Sequence, residues 1–213
     1  MSNIQGIRKE YRLKTLNENE VDQSALVQFG KWWQDAINSA IEEVNAFTLS
    51  TATLEGKPTA RIVLLKGYDE NGFVFFTNYV SNKGYQLSKN PQVCMVFFWK
   101  ELERQIRIEG IASKVTSEES DEYFNSRPAD SRIGAWSSPQ STVIENREFL
   151  EDNVKKYEQK FIEGIIPRPP HWGGYRVKPT LVEFWQGRPG RLHDRLQYSV
   201  QKEGNWKIER LAP

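Results

Sequence analysis

Long apolar runs are missing from this sequence of 213 residues, as are cysteine pairs, histidine clusters and any excess of one charge. No stretch approaches the roughly 18 consecutive apolar residues of a membrane-spanning helix, so no membrane partner is expected. The single cysteine, Cys94, cannot form an intrachain disulfide. With only His171 and His193 beside it, a Cys/His zinc site is excluded, and no metal is expected. The 29 basic residues are balanced by 28 acidic ones, a net charge of +1. That balance argues against a disordered charged tail and against nucleic acid as a partner. The opening MSNIQGIRKEYRLKTL has no apolar segment behind its charges, so no secretory signal is expected and the expected compartment is the cytoplasm. Also absent are GxGxxG after a strand, GxxxxGK[ST], HExxH and GxSxG, which removes the nucleotide, metalloprotease and hydrolase chemistries those motifs serve.

What is present is an aromatic-rich chain, 12% Phe, Trp and Tyr with seven Trp, long enough for one domain with a sizeable core. Between Ser24 and Glu43, Leu26, Phe29, Trp33, Ile37, Ala40 and Ile41 recur at helical spacing and predict an amphipathic helix. Five β-branched and aromatic segments follow, at 46–53, 59–65, 73–77, 93–99 and 105–115, separated by the turn sequences EGKP and DENG. One short helix around Asn82–Lys89 interrupts them. Two further helices are predicted, one opening at Ser117 with the capping pattern SEES and one over 143–161. Strands return at 180–185, 196–201 and 206–208. Sequential strands joined by turns favour an antiparallel sheet or small barrel, hence an α+β fold.

Cations and hydroxyls gather at the ends of these elements. RIVLLK carries Arg61 and Lys66 on opposite faces by strict alternation, so they converge only if the strand bends or ends between them. TNYVSNKG puts hydroxyls, Asn82 and Lys83 at a helix start, a seat for a phosphate or merely a capped helix. Gln105, Arg107 and Glu109 share the face opposite Ile106 and Ile108, a face that is either simply wet or able to meet a ring edge. In YFNSRPADSRIGAWSSPQS, Tyr123, Arg127, Ser131 and Arg132 supply the guanidinium forks and hydroxyls a phosphate dianion requires. EFWQGRPGRLHDR places Trp185, Arg191, His193 and Arg195 around a Gly-Pro-Gly turn, where a lone histidine is more often a surface residue than a catalyst.

The blocks RIVLLKGYDENGFVFFTN, LERQIRIEG, YFNSRPADSRIGAWSSPQS, HWGGYRV, EFWQG with RLHDR, and WKIERLAP resemble the pyridoxamine 5′-phosphate oxidase family, in family order and from about Ile7 to Pro213. The resemblance implies a cytoplasmic homodimer with an FMN-binding split β-barrel and flanking helices. It implies oxidation of pyridoxamine or pyridoxine 5′-phosphate to pyridoxal 5′-phosphate, with O2 as acceptor and H2O2 as product. It further implies FMN contacts at Arg61, Ile62, Val63, Leu64, Leu65, Lys66, Phe76, Thr77, Asn82, Lys83, Gln105, Gln140, Ser141, Trp185 and Arg195. The implied substrate positions are Lys66, Tyr123, Arg127, Ser131 and Arg191, Leu192 and His193, with Arg191 and His193 closest to the chemistry. Arg8, Lys9, Glu10 and Tyr11 resemble a segment that closes over the substrate, so residues 1–20 are expected to be a mobile strap and 21–213 one domain with a C-terminal dimerisation and substrate region. Two departures stand out: Asn82 where many members have Arg, and Phe76 where many have Tyr. A related split-barrel flavoprotein would keep the FMN positions but lack the substrate cluster and RLH, both present here. A non-catalytic pyridoxal phosphate binder would lack a bound flavin.

Overall fold

The computed structural model describes residues 4–6, 9–162 and 164–213; Arg8, expected in the strap, lies outside them. The elements run α1 (Ala25–Ile37), β1 (Ala46–Ala52), β2 (Pro58–Leu64), β3 (Gly67–Asp69), β4 (Gly72–Asn78), α2 (Asn82–Lys89), β5 (Gln92–Trp99), β6 (Arg104–Lys114), α3 (Ser117–Ser126), α4 (Ala129–Ser137), α5 (Arg147–Lys160), β7 (Trp172–Gln186), β8 (Asp194–Val200) and β9 (Trp206–Arg210). The strands hydrogen-bond in the order β2-β1-β5-β6-β7-β4-β3, with β8 on β7 and β9 on β8. The fold is α+β, as expected.

The chain forms two compact units. The first combines the chain up to Leu49 with Cys94–Gly110 and Pro179–Pro213. Its core is aromatic: Phe97 meets Phe29 and Phe47 at 5.5 and 5.2 Å between ring centres, and Phe184 meets Trp32 and Tyr198 at 5.1 and 5.3 Å. Helix α1 is capped by Ser24, whose hydroxyl accepts from the Val27 amide. It ends at Ile37 rather than Glu43, and its buried stripe is Ala25, Gln28, Phe29, Trp32 and Ala36. The expected stripe is turned because Gln28 is a core residue: its Oε1 accepts from the Asp22 amide at 2.9 Å, so a polar side chain sits where apolar periodicity does not register it.

The second unit combines Ser50–Val93 and Ile111–Lys178. Strands β3 and β4 form a tight hairpin, and β4 pairs antiparallel with the first half of β7, Phe73 opposite Val177 through Asn78 opposite Trp172. Neither β3, α4 nor this half of β7 is evident from the sequence pattern. Helix α3 is capped one residue earlier than SEES suggests: the Thr116 hydroxyl accepts from the Glu119 amide at 3.1 Å. Helix α5 starts at Arg147, not Val143, because Asn146 accepts from the Phe149 amide and caps it. Phe124, Ile133, Ile166 and Trp172 form a buried cluster, with Phe76 and Tyr123 packed on it.

Gly174 on β7 is set by that cluster. A Cβ there would lie 2.6 Å from Val115 Cγ2 and 2.8 Å from Phe76 Cε1, both in crowded surroundings. Gly174→Ala is therefore expected to cost about 1–3 kcal/mol, read as a lowered urea midpoint at unchanged slope. An unshifted midpoint would show that the Phe76 ring has room to move.

Candidate active site

The second unit holds a cleft of about 800 Å³, built where several of its elements begin or end. Strand β2 stops at Leu64. The alternation that separates Arg61 from Lys66 therefore breaks before Lys66, whose backbone amide pairs with Val74 O at 2.8 Å, and both side chains line the cleft. The end of β4 contributes Phe76, Thr77 and Asn78, and the start of α2 contributes Lys83. Tyr123 and Arg127 come from α3 and its C-terminal end, Ser131 from α4, and Gln140 from the turn after it.

Two groups of side chains share this cleft. In one, Lys83 Nζ donates to Thr77 Oγ1 (3.1 Å) and Gln140 Oε1 (3.0 Å). Arg61 Nη1 donates to the buried Thr51 Oγ1 at 2.7 Å, and Thr59 Oγ1 donates to Gln86 Oε1 at 2.8 Å. In these bonds the cations are held by neutral partners. In the other group, the Phe76, Tyr123 and Trp172 rings are nearly parallel, Phe76 lying 4.0 Å from Tyr123 and 5.5 Å from Trp172. The Arg127 guanidinium sits 4.7 Å over Trp172, and Lys66 Nζ lies 5.9 Å from the Tyr123 ring centre.

The electrostatics are one-sided. Arg61, Lys66, Lys83 and Arg127 line the cleft, and among the described residues no carboxylate does. Burial lowers the pKa of Arg61 and of Arg127 below the ordinary arginine value. Burial, and then the positive field of Arg61, lowers that of Lys83. Arg127 Nη1 is a buried donor without a hydrogen-bond partner, one of two such atoms among the described residues; the other is Arg132 Nε. Fixed, half-buried donors in a cleft that no carboxylate lines among the described residues are suited to an anion with several acceptor oxygens.

The cleft thus brings together Arg61–Leu64, Lys66, Phe76, Thr77, Lys83, Tyr123, Arg127, Ser131 and Gln140. It does not include three neighbours. Leu65 points into the core at 4% exposure, Asn82 is exposed at the helix start, and Ser141 is exposed with φ +71°. Trp172, Asn78 and Ser138 line it without having been singled out. For Trp172 the available signal was its place in HWGGYRV, among the blocks that carry the family resemblance.

The remaining described residues of the expected site belong to the first unit, and three of them, Tyr11, Trp185 and His193, cluster there. Trp185 and His193 are 4.5 Å apart between ring centres, and Tyr11 meets Trp185 edge-on at 5.8 Å and His193 at 6.0 Å. His193 Nδ1 accepts from the Arg188 amide at 3.1 Å. Burial, and then Arg191, lowers the His193 pKa below 6.5. Arg191 is exposed and holds a left-handed φ of +63°, an unfavourable conformation for a residue with a Cβ. Arg195 Nε donates to Glu183 at 2.8 Å and its Nη1 to Ala212 O at 2.8 Å. Glu183 is buried and also takes Arg107. Gln105 is half-buried on the polar face of β6, as the alternation requires. Lys9 and Glu10 are exposed, Glu10 paired with Arg12, and Leu192 is 73% exposed.

A pH dependence follows for the cleft. Because folding lowers the Lys83 pKa below 10.5, the unfolded chain binds more protons between the lowered value and 10.5, and ligand-free stability from this group rises with pH across that window. Anion affinity runs the other way, since the cation is lost there. Calorimetric titration with inorganic phosphate should show affinity falling before pH 10.5, and Lys83→Met should weaken binding roughly ten- to hundredfold and flatten the profile. A Met variant that titrates like the parent would remove Lys83 from the anion seat.

Comparison with known proteins supplies the family. The family described as "Pyridoxamine 5'-phosphate oxidase" matches residues 33–161, and "Pyridoxine 5'-phosphate oxidase C-terminal dimerisation region" matches 172–213. The chain is 56% identical over 210 residues to a pyridoxine/pyridoxamine 5′-phosphate oxidase of Cyanothece sp. (strain PCC 7425), covering 99% of this chain and 98% of that protein. It is 54% identical over 213 residues to the like-named protein of Polynucleobacter asymbioticus, covering 100% of both. Among solved structures, PhzG from Burkholderia lata 383, in complex with tetrahydrophenazine-1-carboxylic acid, superposes with a TM-score of 0.88 at 28% identity, covering 94% of this chain and 99% of that one. The expected split-barrel architecture is borne out. The chain belongs to the pyridoxamine 5′-phosphate oxidase family of oxidoreductases.

Proposed function

We propose that this protein binds FMN and oxidises pyridoxamine 5′-phosphate and pyridoxine 5′-phosphate to pyridoxal 5′-phosphate, with O2 as electron acceptor and H2O2 as product. The observation that carries the reading is the cleft itself: two groups of cationic and polar side chains, four cations and no carboxylate among the described residues. Two phosphates, one on the cofactor and one on the substrate, account for both groups. Arg61, Thr77, Lys83 and Gln140 would hold the flavin phosphate. Lys66, Tyr123, Arg127 and Ser131 would hold that of the substrate, with the orphaned Arg127 Nη1 as the donor awaiting an acceptor.

FMN, when bound, would supply two-electron redox chemistry with dioxygen as the final acceptor. The chain's own residues orient the ring. With its pKa below 6.5, His193 is neutral near neutral pH. Because Nδ1 accepts from the Arg188 amide, the proton resides on Nε2, free to donate to the oxygen substituent of the pyridine ring. Arg191, in the left-handed conformation just after the turn at Gly187–Gly190, would cover the ring and keep it flat for hydride transfer. Trp185, Gln105 and Arg195 would contact the flavin, with Glu183 fixing the Arg195 fork. The match of 172–213 to a dimerisation region supports a homodimer, in which FMN would be shared between subunits. Leu65, Asn82 and Ser141 would contribute through their backbone. The strap at residues 1–20 would close over the substrate of a domain spanning 21–213. Among the described residues no helix is long and apolar enough to cross a membrane; the cytoplasm is the proposed location.

The purified protein should be yellow, and anaerobic pyridoxine 5′-phosphate should bleach its visible flavin absorbance. A colourless protein, or a flavin that stays oxidised, would contradict the assignment. Arg127→Ala should raise the Michaelis constant roughly ten- to hundredfold, the loss of one charge-assisted phosphate contact, at unchanged flavin content. Loss of flavin with substrate affinity kept would mean that the two phosphate seats are exchanged.

A further inference from the structure

Glu103 has no part in the cleft, yet it is one of the most buried acids of the chain, its side chain 3% exposed. It closes the turn after Lys100–Leu102 with a left-handed φ of +54°. Its carboxylate does not face water. Oε2 accepts from the backbone amides of Arg12 (2.8 Å) and Leu13 (3.1 Å), and Oε1 lies 3.5 Å from Lys9 Nζ. Its backbone carbonyl accepts from the amide of Gly187 at 2.7 Å and from Gln186 Nε2 at 3.2 Å. One residue therefore ties the strap at residues 9–13 to the end of β7.

Tyr11 lies between these attachments, its ring over the bare Cα of Gly187. A Cβ on Gly187 would lie 2.6 Å from Tyr11 Cγ and 2.7 Å from Tyr11 Cβ. The same ring meets Trp185 and His193. Three residues downstream of Leu13, the strap is tied a second time, the Leu16 amide donating to Asp194 Oδ2 at 3.1 Å and its carbonyl accepting from Arg210 Nη2 at 2.9 Å. A side-chain acid bound to two consecutive backbone amides fixes the position of the strap, irrespective of the strap's side chains at 12 and 13. A buried carboxylate left without those donors would be costly, so the strap and Glu103 hold one another.

We propose that Glu103 is a positioning residue for the reaction: its carboxylate latches the strap through the Arg12 and Leu13 amides and so seats Tyr11 against Trp185 and His193. This rests on the reading of the Arg191–His193 turn as the part that handles the substrate ring. Glu103 acts through Tyr11 and touches no reactant itself.

A double-mutant cycle tests it on the flavin-loaded, full-length protein. Glu103→Ala and Tyr11→Ala should each lower kcat/KM for pyridoxine 5′-phosphate about tenfold, and the double variant should be no worse than either alone, because both remove one coupled element. Glu103→Gln, which keeps an acceptor oxygen, should fall between parent and Ala. Hydrogen exchange at the Arg12 and Leu13 amides should quicken in Glu103→Ala. A double variant with the product of both losses, roughly a hundredfold, would overturn the proposal by making Glu103 act independently of Tyr11. Unchanged exchange at the two amides would overturn the latch. Quickened exchange with no kinetic effect of Tyr11→Ala would instead fault the reading of the turn, and with it the positioning role. If Glu103→Ala does not accumulate folded, Gly187→Ala displaces Tyr11 without touching the carboxylate. It should cost the same factor, and none further when combined with Tyr11→Ala; parent-like kcat/KM there would overturn the proposal.

Discussion

Positive charge gathered in a cleft that, among the described residues, no carboxylate lines is the constraint around which this site in the second unit is arranged. Burying a cation is unfavourable, and the lowered pKa values of Arg61, Lys83 and Arg127 express that cost. Neutral groups, Thr51, Thr77 and Gln140, take up individual N–H donors and hold the cations in place. A ligand that brings its own negative charge then gains what the fold has given up. The chain as a whole is nearly neutral at +1, so the one-sidedness is local.

Three of the four cations stand at or just past the end of an element, while Arg61 is the central residue of β2. Arg61 and Lys66 share the cleft because β2 stops at Leu64, Lys83 sits in the first turn of α2, and Arg127 caps α3. Beneath them the parallel rings of Phe76, Tyr123 and Trp172 give a flat wall, and Gly174 leaves room for Phe76 to lie in it. The first unit follows a different logic. There two buried acids organise the expected residues: Glu183 takes Arg107 and Arg195, and Glu103 accepts from the Arg12 and Leu13 amides. Its groups are held for orientation, those of the second unit for charge.

Much of this is legible in the sequence where one physical signal dominates. Alternation in QIRIEG marks β6 and its wet face, and SNKGYQLSK marks α2 with its start at Asn82. Where signals compete, the pattern misleads. Gln28 in the core turns the stripe of α1, Thr116 outcompetes Ser117 as a cap, and Asn146 cuts α5 short. Helix α4 is hidden by Pro128, which reads as a breaker but stands as the residue preceding the helix. For the site, residues with charge or hydroxyls in RIVLLK and YFNSRPADS could be singled out from their chemistry, and their convergence could not, since it depends on where β2 ends. Trp172 and Glu103 escaped notice because a ring and an acid are commonplace in isolation; only their neighbours, Arg127 in one case and two backbone amides in the other, give them meaning.

The central claim is that one cleft holds two phosphates at once, and calorimetry on the reconstituted protein addresses it directly. FMN-loaded protein titrated with pyridoxal 5′-phosphate should bind one equivalent per protomer while its flavin stays bound. Release of FMN in step with pyridoxal phosphate binding would mean a single anion seat, and would contradict the account.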